Sequence, residues 1–167
     1  MRPKGAEKTL LNNMNNFTDL KPGDCLLYKA SGLFGRIIAL KTWHSISHVE
    51  VYGEVGFSFA SRDGKGVARY PFRSNGLVVV LRPNSFYCHE AAARWFKTVD
   101  GQKYDWWGLL RFFTIGDGKH DRMFCSEFAT RLYRSGGLEP FHKNEDADLI
   151  APFQFMTSAK FDRVWEA

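Results

Sequence analysis

The chain has 167 residues, of which 44% are apolar and 25% charged, with a formal net charge of +5. That length suits one domain with a sizeable core. No apolar run approaches the ~18–20 residues that span a bilayer. The basic residues are scattered rather than gathered into a patch, which does not favour nucleic acid as a partner.

The first residues, MRPKGAEKTLLNNMNN, carry basic side chains with no continuous apolar stretch behind them. No signal peptide is expected, and the protein is expected to be soluble with reduced thiols. Residues 1–20 read as a loosely held arm and 21–167 as a single domain. KPGD is a turn, followed by a short buried strand, CLLY, at 25–28. The apolar spacing in SGLFGRIIALKTW predicts a helix over 31–43. SISHVEVYG at 45–53, the start of FSFASRDGKGV at 57–67, VARYPF at 67–72 and NGLVVVLRP at 75–83 read as strands.

HEAAARWFKTV at 89–99 is helical, with Ala92, Trp95, Phe96 and Val99 on one face. GQKYDWWGLLRFF at 101–113 is aromatic and partly helical, and TIGDGKHDR at 114–122 is a polar loop. SEFATRLYRSGG at 126–137 is a helix stopped by two glycines, and the tail holds a strand or coil and a final turn. The order predicts an α+β domain with an antiparallel sheet.

The three cysteines, Cys25, Cys88 and Cys125, form no C-x-x-C pair, which removes zinc-ribbon and thioredoxin readings. Cys25 and Cys88 have apolar or aromatic neighbours and read as structural. Cys125 is different, because it stands at the mouth of a helix. Unpaired N–H groups there favour a thiolate and can hold an oxyanion. Free cysteine is also a common core residue, so position alone does not decide. On the strand SHVEVY, alternation puts His48, Glu50 and Tyr52 on one face, a poor core face and a good cleft wall. A thiol at a helix start with a histidine from a sheet is a nucleophile–base pair. His44 and His48 are four apart, but no third ligand with metal spacing is evident.

SHVEVYG followed by FCSEFATRLY resembles the permuted NlpC/P60-like branch of the papain-fold cysteine hydrolases, in which the histidine precedes the cysteine. PGDCLLY, ASRDGKGVARYPF, GQKYDWWGLL and APFQF are similar to its flanking pieces, and phage-encoded members look closest. The resemblance covers roughly residues 21–157. It implies an antiparallel sheet or partial barrel packed against helices, with Cys125 as nucleophile and His48 as general base. The family's third polar residue commonly lies on the strand after the histidine, where this chain has FSFAS, without acid or amide. Glu50 is then the acid within reach, with Ser58 and Ser61 as weaker candidates. Tyr104 and Asp105 match a YD position before the cysteine helix, as a cleft contact or a buried turn; Tyr52 and Ser126 are further candidate substrate contacts. Glu127 reads as an acid favoured by the helix dipole.

The expected activity is a thiol hydrolase acting on an amide bond of a peptide-like or acylated substrate, cell-wall peptides included, without cofactor or metal. A lipid acyltransferase or thioesterase of the same fold is the alternative, and a non-catalytic phage structural or host-binding module the third. A phage protein of this kind would act in the host cytoplasm or the virion.

Overall fold

The computed structural model describes residues 17–31, 36, 43–105 and 122–167. Most of the helix expected over 31–43, and the aromatic stretch from Trp106 with the loop after it, lie outside the described residues. The described strands are β1 (Cys25–Lys29), β2 (Ile46–Glu54), β3 (Phe57–Arg62), β4 (Gly66–Pro71), β5 (Leu77–Pro83), β6 (Lys103–Tyr104), β7 (Arg122–Met123) and β8 (Phe161–Glu166). Two helices of eleven residues are α1 (His89–Val99) and α2 (Cys125–Ser135).

The fold is α+β. Six strands form an antiparallel sheet in the order β4-β3-β2-β1-β5-β8, and β6 pairs with β7 in parallel. Strand alternation divides the apolar residues between two faces. Cys25 and Leu27 of β1, Val49 and Val51 of β2, and Val79 and Leu81 of β5 enter a large cluster with Phe96 of α1 and Phe128 and Leu132 of α2. Leu26, Tyr28, Tyr52, Phe72, Leu77 and Val80 form a second cluster, with Phe17, Leu20 and Trp165 packed against it. Each fully buried side chain of this size contributes about 1.5–3 kcal/mol. Phe17 meets Phe72 and Trp165 edge-on at 5.5 and 4.9 Å, and Arg82 donates to the Asp19 carbonyl at 2.8 Å. The C-terminal end of the expected arm is thus docked on the sheet.

The tail differs from expectation. It runs through two 3-10 turns, Ala147–Leu149 and Pro152–Thr157, and ends in the edge strand β8 rather than a turn. Its alternation is hidden because most of FDRVWE is exposed. Among the described residues, no helix is long and apolar enough to cross a membrane.

Candidate active site

The site begins at an irregularity in β2. Tyr28 pairs with His48 but Lys29 pairs with Ile46, so Ser47 is an extra residue on β2. Such a bulge re-aims the side chains beside it. As a result Ile46 and Val49, of opposite parity, both enter the large cluster. His48 keeps a side chain 17% exposed, while Glu50 is 0% exposed.

A buried carboxylate is costly unless it is paired and hydrogen-bonded. Glu50 is both. Its Oε1 lies 3.0 Å from His48 Nε2 and accepts from Arg62 Nε at 2.8 Å. Its Oε2 accepts from Arg62 Nη2 at 3.0 Å and from the Ser58 hydroxyl. Arg73 Nη2 stands farther off, 3.5 Å from Oε1. Burial pushes the Glu50 carboxyl up, but His48 and Arg62 together hold it well below the usual carboxylate range. The arginines are themselves braced. Arg62 lies 4.2 Å over the Tyr70 ring and Arg73 4.6 Å over Tyr28, whose hydroxyl donates to the Arg73 carbonyl at 3.0 Å.

The nucleophile candidate arrives from the other side of the chain. Gly66 has φ +81°, and a Cβ there would meet the Gln102 carbonyl at 2.1 Å. Only glycine allows this approach, which puts β6 against β4 through Val67 N–H to Gln102 O at 2.8 Å. Tyr104 then pairs with Met123, and the Ser61 hydroxyl donates to the Met123 carbonyl at 2.5 Å. Met123 is followed by the extended N-cap Phe124, which offers no side-chain cap, and by Cys125 as the first residue of α2. The first helical bond is Phe128 N–H to Phe124 O, so the amides of Cys125 and Ser126 have no acceptor within the helix. Glu127 reaches back to the Phe124 N–H, half of a capping box. At its far end α2 closes with Leu138 N–H to Tyr133 O and Gly137 N–H to Arg134 O, both 3.0 Å, with Gly137 at φ +82°.

Cys125 and His48 are electrostatic neighbours, the charge of the sulfur bearing on the imidazole. Since Glu50 takes Nε2, Nδ1 is the nitrogen left for the sulfur. Burial lowers the proton affinity of the imidazole. A negative charge on Cys125 and Glu50 behind the ring outweigh that and raise His48 to about 9. Tyr104 is buried near Cys125, Asp63 and Asp105; burial, reinforced by their negative charges, raises its phenol well above 10, so it stays a hydrogen-bond donor. Asp105 is also buried. Asp63, in the β3–β4 turn, feels the charge of His48.

Two sequence expectations need correction. Tyr52 is not a substrate contact on a cleft wall: its hydroxyl accepts the Gly56 N–H at 2.9 Å, and its ring sits edge-on to Phe72 in the second apolar cluster. Ser126 turns away from the site, donating its hydroxyl to the Ile150 carbonyl at 2.5 Å, where it ties α2 to the turn Ala147–Leu149. Cys125 itself is 1% exposed and lies within the large cluster. Sequence reasoning missed Arg62 and Arg73. The hairpin register held the signal for Arg62: Tyr52 pairs with Ser58, which runs Arg62 back toward His48.

No protein-family model matches the sequence, and no curated protein sequence matches it. Among solved structures, the metalloprotein yiiX from Escherichia coli O157:H7, DUF1105, is similar in fold. The TM-score is 0.65 at 17% identity, covering 88% of this chain and 97% of that one. The likeness is one of fold. The described residues do not fit a metal centre: no group of three or more His, Cys, Asp or Glu side chains is placed to hold an ion. The Glu50 oxygens are already occupied by Arg62, Ser58 and His48.

Proposed function

We propose that this chain is a cysteine hydrolase with a permuted, NlpC/P60-like papain arrangement, cleaving an amide bond through an acyl-enzyme on Cys125. The observation that carries this reading is His48 held between Cys125, whose charge acts on the ring, and Glu50, 3.0 Å from Nε2, with the thiol on the first residue of a helix. His48 accepts the thiol proton, and the imidazolium is held between the thiolate and Glu50. The thiolate attacks the acyl carbon. The oxyanion faces the amides that open α2, with the Tyr104 phenol as a further donor beside them. His48 then returns its proton to the leaving amine. In the second half, His48 takes a proton from water, which attacks the thioester and frees Cys125. Glu50 fixes the ring and its tautomer throughout. Peptidoglycan stem peptides are the amide substrates to try first.

The test is intact-mass spectrometry of the protein incubated with such peptides and with simple aminoacyl amides. An acyl adduct is expected on the peptide containing Cys125, absent from Cys125→Ala. Turnover that survives Cys125→Ala would remove this reading.

A further inference from the structure

Glu50 has more donors than it can use. Two carboxylate oxygens offer about four lone-pair positions. His48, Arg62 Nε, Arg62 Nη2 and the Ser58 hydroxyl fill them. Arg73 is a fifth donor, at the long distance of 3.5 Å. Its Nε is buried and has no hydrogen-bond partner among the described residues, yet its side chain is 37% exposed. Arg62 balances Glu50 in charge, and a thiolate on Cys125 balances an imidazolium on His48. The guanidinium of Arg73 is left as a surplus cation with an open side. Arg73 Nη2 and His48 Nε2 approach the same Glu50 oxygen, at 3.5 and 3.0 Å, so they lie within about 6.5 Å of each other.

We propose that Arg73 is an anion-recognising residue of this site, and that the substrate is an acyl compound carrying a carboxylate or phosphate that reaches the Glu50 side of the His48 ring. The proposal rests on the reading of Cys125 as nucleophile. A guanidinium suits it because its planar fork takes either anion in two parallel hydrogen bonds. The stacking of Arg73 on Tyr28 and the bond from that hydroxyl to the Arg73 carbonyl fix where the fork stands. Asp63, the exposed carboxylate near His48, sets the opposite limit: an anion is accepted on the Arg73 side and repelled on the β3–β4 turn side.

The experiment compares two alkylating reagents of similar size, anionic iodoacetate and neutral iodoacetamide, each losing iodide as the Cys125 sulfur forms a C–S bond. Rates on Cys125 are read by peptide mass spectrometry at low salt, in the wild type, Arg73→Gln and Arg73→Lys. The ratio of the two rates is the readout, so a general change in thiol reactivity cancels. Arg73 stands by the Nε2 edge of the His48 ring and the sulfur lies beyond the other edge, and at ~10 Å a unit charge in water changes that ratio about twofold, and more where water is excluded. The expected result is a fall of about twofold or more in Arg73→Gln, retention in Arg73→Lys, and loss of the difference in high salt. An unchanged ratio in Arg73→Gln, with Cys125 still alkylated, overturns the proposal and leaves the nucleophile reading standing. If neither reagent labels Cys125 in the wild type, the nucleophile reading fails and the anion site falls with it.

Discussion

Helices α1 and α2 are near copies in outline. Each has eleven residues, a cysteine at its start, an N-cap without a side-chain bond, an acid in the first turn and a base in the last. Both therefore present unpaired amides and the positive end of a dipole to a sulfur. Their surroundings differ. Cys88 is half-buried, and its sulfur lies 3.6 Å from the Glu90 carboxylate, which can take its hydrogen but has no base to follow. Cys125 is buried and meets an imidazole backed by a carboxylate. A helix start makes a site for a thiolate only when a base stands opposite it. The base here comes from a strand nearly 80 residues earlier in the chain.

The largest effect should come from exchanging the two cysteines' fates. Cys125→Ala is expected to lower hydrolysis by at least about a thousandfold, while Cys88→Ala leaves kcat within about twofold. Because Cys125 is packed in the core, Cys125→Ala is also expected to cost about 1 kcal/mol in urea denaturation. Equal activity of the two variants would erase the distinction between the helices.

Next in size is the acid behind His48. Glu50→Gln leaves Arg62 and Arg73 around an uncharged amide, a loss of about 3–5 kcal/mol that could unfold the protein. Ser58→Ala is the sharper variant, since it removes one donor from Glu50 and leaves the ion pair. It is expected to lower kcat about tenfold with KM nearly unchanged, and stability by about 1–3 kcal/mol. A rise in KM alone would instead place Ser58 against substrate and remove it from the support of the ring.

The third effect is in pH. With His48 raised to about 9, hydrolysis should fall as pH rises through about 9, because the leaving amine loses its proton donor, while iodoacetamide labelling of Cys125 persists. A folded-state value above the unfolded ~6.5 means that His48 stabilises the fold fully below pH 6.5 and loses this contribution as pH rises toward 9. NMR titration of the ring in Cys125→Ala should show a lower pKa than in the wild type. An unchanged titration would mean that the sulfur does not hold the imidazolium.

Much of this architecture is legible in the sequence, and what is not has physical causes. The β2 and α1 spans follow from alternation and from the 3.6-residue period, and Gly136–Gly137 mark the end of α2. His48 and Glu50 share a face because strands alternate, which a reader can count. Tyr52 obeys the same count yet lies in a different environment, because alternation gives the face and not what covers it. Ser47 as a bulge and Arg73 as a neighbour of Glu50 depend on register between strands distant in sequence. His89, at the start of α1, lies parallel to the Phe59 ring with its Nδ1 buried. That stacking depends on where α1 lands on the sheet, and nothing in HEAAARWFKTV states it.

The smallest expected effect separates the two first-turn acids. Sequence alone makes Glu90 and Glu127 equivalent, each favoured by its helix dipole. In the structure Glu90 is exposed and its carboxyl lies below the usual value, helped first by a backbone hydrogen bond and then by Cys88. Glu127 is buried, and burial, with Asp148 and Asp105 nearby, raises it to about 7 against the pull of Arg131 at 2.8 Å and the Phe124 N–H. The consequences have opposite signs. An acid raised by folding keeps its proton in the folded state and gives it up near pH 4.5 when unfolded, so stability falls as pH rises from about 4.5 to 7 and stays reduced above that. Glutamine retains the oxygen that accepts the Phe124 N–H and carries no charge. Glu127→Gln should therefore gain stability relative to wild type between pH 5 and pH 8, by on the order of 2 kcal/mol. Glu90→Gln should gain nothing over the same interval, and should lose slightly if its dipole contact matters. Urea midpoints of the three proteins at the two pH values decide the matter. A Glu127→Gln difference that is the same at pH 5 and pH 8 would show that Glu127 is as well solvated as Glu90, and that the two helix starts differ in their cysteines alone.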